Sequence, residues 1–185
     1  MITRIFLLVL LLGSSFVSQA STPPQSRDHL TQQEVDLVKE AQVLDKRIDI
    51  FIKATERRLL VITGSPAATN AKQLKKDSER WGELPTGSRA ELVTDIARIL
   101  DEAITNIDDV SSRDERNPLI SKSLRKLAQA VNSIMGQLKP IAVEAKSDTE
   151  IASYEMLNED AKSILEAATK LPPEVEKKAK SKKQN

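Results

Sequence analysis

Apolar or small residues recur at Leu37, Ala41, Leu44, Ile48, Phe51, Thr55, Leu59 and Ile62, in steps of three and four. That period lays one stripe along a helix of about 31 residues, ~46 Å long at 1.5 Å per residue. Thr31 and Glu34 have the spacing of a capping box: the hydroxyl takes an orphan backbone N–H and the carboxylate reaches back to the cap. The closing run Leu59–Ile62 is apolar on several faces, so this end is expected to be the most deeply buried. Gly64 suits a left-handed cap, and Pro66 behind Ser65 suits the first turn of a new helix.

A second, weaker helix follows, with Ala67, Ala71, Leu74, Ser78 and Trp81 on one face. Its seam is mostly small residues, so the single large side chain at its end has to hold it down. Gly82 then stops the helix, Leu84 and Pro85 cross over, Gly87 permits a tight turn, and Ser88 with Glu91 forms another capping box. The segment reads as a structural corner pinned by Trp81 and Leu84. The competing reading is a ligand-reading loop, because tryptophan is also a preferred interface anchor.

The third helix, 89 to about 110, carries Leu92, Ile96, Ile99, Ala103, Ile107 and Val110. Asn117 and Pro118 open the fourth, whose stripe is Ile120, Leu124, Leu127, Val131, Ile134, Leu138 and Ile141. Pro140 is expected to kink or end it near Leu138, since proline lacks the backbone donor. Ser147 and Glu150 cap the last helix, with Ile151, Tyr154, Leu157, Ala161, Leu165 and Ala168 inward. No stretch past residue 20 alternates with period two. The predicted fold is all-α: an antiparallel helical bundle of about five helices with a long first helix and near-heptad packing.

The chain ends differ from this body. Residues 1–20 pair Arg4 with an apolar run, Ile5–Leu12, and end in Ser18 and Ala20 at the positions a signal peptidase reads. They are expected to be a signal peptide cleaved after Ala20, giving a secreted or periplasmic protein; the alternative is an uncleaved amphipathic anchor. The organisation expected is signal peptide 1–20, disordered leader 21–29, helical bundle 30–172 and basic disordered tail 173–185.

Charge sharpens this division. Past residue 20, 27 Lys and Arg balance 27 Asp and Glu, but Lys177, Lys178, Lys180, Lys182 and Lys183 lie together in the tail. The body is therefore mildly acidic and the tail basic. Such a tail attracts polyanions, here an anionic envelope polymer or lipid, or simply keeps the protein soluble. Nucleic acid is not expected, because export removes the chain from it and aromatics are only 3%.

The chemistry is narrow. The chain has no cysteine and one histidine, His29, in the leader. Ser-His-Asp triads, zinc-protease motifs and the Glu-x-x-His di-metal sites of bundles all need body histidines. No phosphate-binding glycine loop occurs. Asp95, Glu102 and Asp109 repeat at seven, flanked by Asp101 and Asp108. They could act as paired carboxylates but read better as a solvated face. Arg57 and Arg58 could grip an anion, but read better as partners for acids of a neighbouring helix. No catalytic, cofactor or metal residues are expected.

The function expected is a non-enzymatic, exported interaction or scaffold protein of a bacterial envelope, working through helix contacts with a protein partner or a second copy. The alternative is a carrier of lipid or a small apolar ligand, with a cavity near Phe51, Trp81 and Tyr154. Candidate binding residues are Trp81, Leu84 and the five tail lysines.

Overall fold

The computed structural model describes residues 27–64, 76 and 78–173. The expected signal peptide, the leader up to residue 26, most of the second predicted helix and the lysine tail lie outside the described residues. Among those described, regular structure is helical: α1 (Gln32–Glu40), α2 (Leu44–Thr63), α3 (Arg89–Arg113), α4 (Pro118–Ala142) and α5 (Asp148–Thr169). A helical turn also ends at Trp81.

The helix starts are where cap chemistry puts them. Thr31 and Ser88 each head a complete capping box, with Glu34 and Glu91 reaching back. Asn117 accepts from the Leu119 N–H ahead of Pro118, and Ser147 accepts from the Glu150 N–H. Gly64 closes α2 in the left-handed conformation.

The long first helix is not formed. Ala41 is extended (φ −78°, ψ 92°), and the chain folds back so that α1 lies along α2. Glu34 bonds Arg57 and Arg58. On one unbroken helix those residues would be ~35 Å apart at 1.5 Å per residue. The break exchanges a few backbone hydrogen bonds for burial of Glu34 and Leu37. Periodicity cannot reveal it, because Leu37, Ala41, Leu44 and Ile48 keep the stripe in step across it.

Helices α2 to α5 form a four-membered ring in the order α2, α3, α5, α4. Arg47 meets Asn106 and Arg58 faces Asp95, so α2 and α3 run in opposite directions. Asp45–Lys122 and Asp49–Lys126 tie α2 to α4 with both numbers rising, so these two run parallel. Arg89–Glu150 and Thr94–Ser153 do the same for α3 and α5. Short connections usually join antiparallel neighbours, but α3 and α4 lie mainly across the ring. Five chain steps from Arg113 to Pro118 reach ~17 Å, enough for the ~14 Å diagonal of helices spaced ~10 Å apart.

The core at the ring centre includes Ile48, Phe51, Val93, Ile96, Ile99, Leu100, Leu127, Val131 and Leu157, all fully buried. Burying each large aliphatic side chain contributes roughly 1.5–3 kcal/mol. Four details depart from the sequence reading. Leu59 is buried, but Leu60, Val61 and Ile62 are only half-buried, because one face of a helix can meet its neighbours. α4 continues through Pro140 to Ala142; the bond lost there would go to the carbonyl of Gly136, an exposed residue open to water. In α5, Tyr154, Leu157 and Ala161 are inward as expected, but at the ends Ile151 is exposed with Glu150 inward in its place, and Ile164, not Leu165, is fully inward. Arg27–His29, the end of the expected disordered leader, instead bond to α2 and α3.

Candidate functional site

The residues singled out at the corner separate. Trp81 is buried and forms a small cluster with Leu37 of α1 and Ile50 of α2, apart from the main core. Leu84 is 45% exposed and does not pin the corner; Pro85 is buried there instead. Gly82 takes φ +68°, which a side chain resists, and a Cβ there would stand 3.0 Å from the Gln33 side chain. Gly87 takes φ +152°, and a Cβ there would push the Arg27 guanidinium aside. Lys177, Lys178, Lys180, Lys182 and Lys183 lie outside the described residues.

What binds the corner is Arg57. Its Nη2 donates to the carbonyls of Trp81 (3.1 Å), Gly82 (3.3 Å) and Glu83, and its guanidinium carbon lies 5.9 Å from the Trp81 ring centre. Arg80 stacks at a similar 5.8 Å. One buried arginine thus closes the loop that the glycines allow to turn.

Arg57 belongs to a buried ionic network. Glu34 is fully buried, and its Oε1 accepts from Arg57 Nε (3.1 Å) and Arg58 Nη1 (2.8 Å). Its Oε2 accepts from Arg58 Nη2 (2.8 Å) and the Thr31 N–H (2.9 Å). All four lone-pair positions of the carboxylate are occupied. Arg58 also donates to the carbonyls of Ala54 (2.7 Å) and His29 (2.6 Å). Its Nε has no hydrogen-bond partner among the described residues and faces Asp95 at 3.8 Å. Asp95 in turn accepts from Arg27 Nη2 at 2.7 Å.

This corrects two sequence readings. Asp95 is not on a solvated face: it is 2% exposed, and burial pushes its carboxyl upward against the pull of Arg27 and Arg58. Glu102 is half-buried and meets His29 (Nε2 to Oε2, 2.8 Å). Asp101, Asp108 and Asp109 are exposed as expected. Arg57 and Arg58 do pair with acids of neighbouring helices. The principal acid is Glu34, of which the sequence shows only the capping-box spacing, because an unbroken stripe sets it on the same helix as the arginines. The available signal was two adjacent arginines beside an apolar run.

Chemically, the network holds rather than reacts. Glu34 has no free lone pair to take a proton or a cation, and the arginine donors are aimed at Glu34 and at backbone carbonyls, Arg58 Nε excepted. Among the described residues no group of three or more His, Asp and Glu is placed to hold a metal, and no helix is long and apolar enough to cross a membrane. Phe51 and Tyr154 belong to the main core, whereas Trp81 belongs to the smaller cluster with Leu37 and Ile50. The Tyr154 hydroxyl is buried without a hydrogen-bond partner among the described residues, and burial raises its pKa. A shallow open depression lies at the end of α3 between Asp108, Ser111, Ser112 and Glu115. Comparison with family models, curated proteins and solved structures finds no match to the chain.

Proposed function

We propose that the protein is a non-enzymatic interaction or scaffold protein exported to a bacterial envelope, acting through the outer faces of its helices, with the lysine tail as an attachment to anionic envelope polymer or lipid. One observation carries the non-catalytic part of this reading: Glu34, the fully buried acid of the network, is saturated by four donors. A reactive acid or base keeps a lone pair or proton available to substrate; Glu34 does not. Export rests on the pattern of residues 1–20, and tail attachment on the five lysines past Glu176.

The exposed apolar side chains Val143, Ile151 and Met156 near and along α5 suit helix contacts better than a carrier's interior. The packing of Phe51 and Tyr154 away from Trp81 weighs against the carrier reading. Crosslinking pull-down from envelope extracts, with the chain complete and with residues 174–185 removed, tests the proposal. Specific envelope proteins are expected with both forms, and anionic polymer or lipid with the complete form alone. Capture of neither by the complete chain refutes it. Binding of fatty acid at one saturable site would favour the carrier.

A further inference from the structure

The α1–α2 junction satisfies two conformations at once. The stripe Leu37, Ala41, Leu44, Ile48 runs through it without a change of step, and the linking residues Ala41, Gln42 and Val43 include neither glycine nor proline. Val43 makes no side-chain cap for α2 and is 48% exposed. The N–H groups of Gln42, Val43, Leu44 and Asp45 have no hydrogen-bond acceptor among the described residues. In a continuous helix they would bond the carbonyls of Val38 to Ala41. The bend is held locally by Arg47 Nε to the Ala41 carbonyl and Gln42 to the Lys39 carbonyl. Helix α1 itself packs against one helix of the ring, α2.

We infer that this junction is a hinge that straightens, and that the α1 of a second copy of this chain then occupies the α1 site on α2, giving an exchanged dimer. The inference rests on the helix-contact reading above and names a second copy as one partner. Its physical basis is that straightening carries Glu34 ~35 Å from its own Arg57 and Arg58. A buried arginine pair cannot be left without its acid. The identical acid of the second copy restores it, with Leu37 returning to Ile50 and Trp81. Every contact of α1 with the ring is remade; the two bonds that hold the bend are given up, and the four N–H groups of the hinge gain helical acceptors. The exchange is two-fold symmetric, so it closes at two copies.

Sedimentation equilibrium of the full chain, refolded from denaturant over a range of concentrations, tests this. Twice the monomer mass is expected after refolding at high concentration. Gln42→Pro should abolish that species: Gln42 is exposed, its N–H loses no acceptor, Ala41 before it is already extended, and only the side-chain bond to Lys39 is lost, whereas midway along a straight helix a proline would remove the bond to the Val38 carbonyl and press its ring against it. Insertion of three glycines after Gln42 should do the same by a different route, and it decides the matter if helicity shows the proline variant to be unfolded. A wild-type chain that stays monomeric at all concentrations overturns the inference, as does a dimer that persists in both variants. A monomer that still crosslinks to envelope proteins would remove the exchange and leave the scaffold reading standing. A hinge-dependent dimer without such partners would do the reverse.

Discussion

Replacing Glu34 by alanine is the most direct probe of the structure. The substitution removes the acceptor of four hydrogen bonds and leaves Arg57 and Arg58, 4% and 1% exposed, without their principal counter-charge. Breaking a buried ion pair from one side costs about 3–5 kcal/mol, because the remaining charge is not rehydrated. Two features favour the lower part of that range. Arg57 keeps the carbonyls of Trp81 to Glu83, and Arg58 keeps those of Ala54 and His29. At roughly 2–4 °C per kcal/mol for a chain of this length, Tm should fall by ~10 °C. Thermal and urea unfolding followed by circular dichroism measures this. The emission of Trp81, the sole tryptophan, reports the release of α1, since Leu37 covers it. A loss below about 1 kcal/mol, with Trp81 emission unmoved, would show that the network does not hold α1 and would refute the reasoning.

Other outcomes follow from particular sites. The hydrogen bond from Lys122 holds the Asp45 carboxyl below its usual range. The pair's contribution is therefore present above about pH 4 and lost as pH falls through the lower folded value, so Asp45→Asn should flatten the acid limb of a stability–pH profile. Asp160 behaves oppositely: burial, then Asp101 and Glu159, raise its pKa, so its native form binds protons first and stability falls as pH rises through that window. Asp160→Asn should therefore raise Tm at neutral pH and lose this advantage in acid. Leu157→Ala, at a fully buried position between α3 and α4, should cost roughly 2–5 kcal/mol in urea unfolding. Gly82→Ala should cost about 1–2 kcal/mol for its positive φ and shift Trp81 emission, whereas the Trp81 signal should stay put in Gly64→Ala, at φ +62° with open space around it.

By itself the sequence determined what is local. A capping hydroxyl, a left-handed glycine or a proline at a helix start acts within four residues. Thr31, Gly64, Ser88, Asn117 and Ser147 therefore announced helix ends that the structure keeps. Helical period likewise marked most of the core, since Ile96, Ile99, Leu127, Val131, Leu157 and Ala161 turn inward on any helix packed along that face. The tertiary structure alone decided the break after α1, the crossing of α3 and α4 over the ring, and the burial of Glu34, Arg57, Arg58 and Asp95. The stripe is equally compatible with a straight helix and a folded one. A carboxylate's place in water or in the core depends on whether two arginines from another part of the chain reach it. Only the assembled chain brings those distant charges together, so the network that organises the corner was written in residues whose meeting no local pattern records.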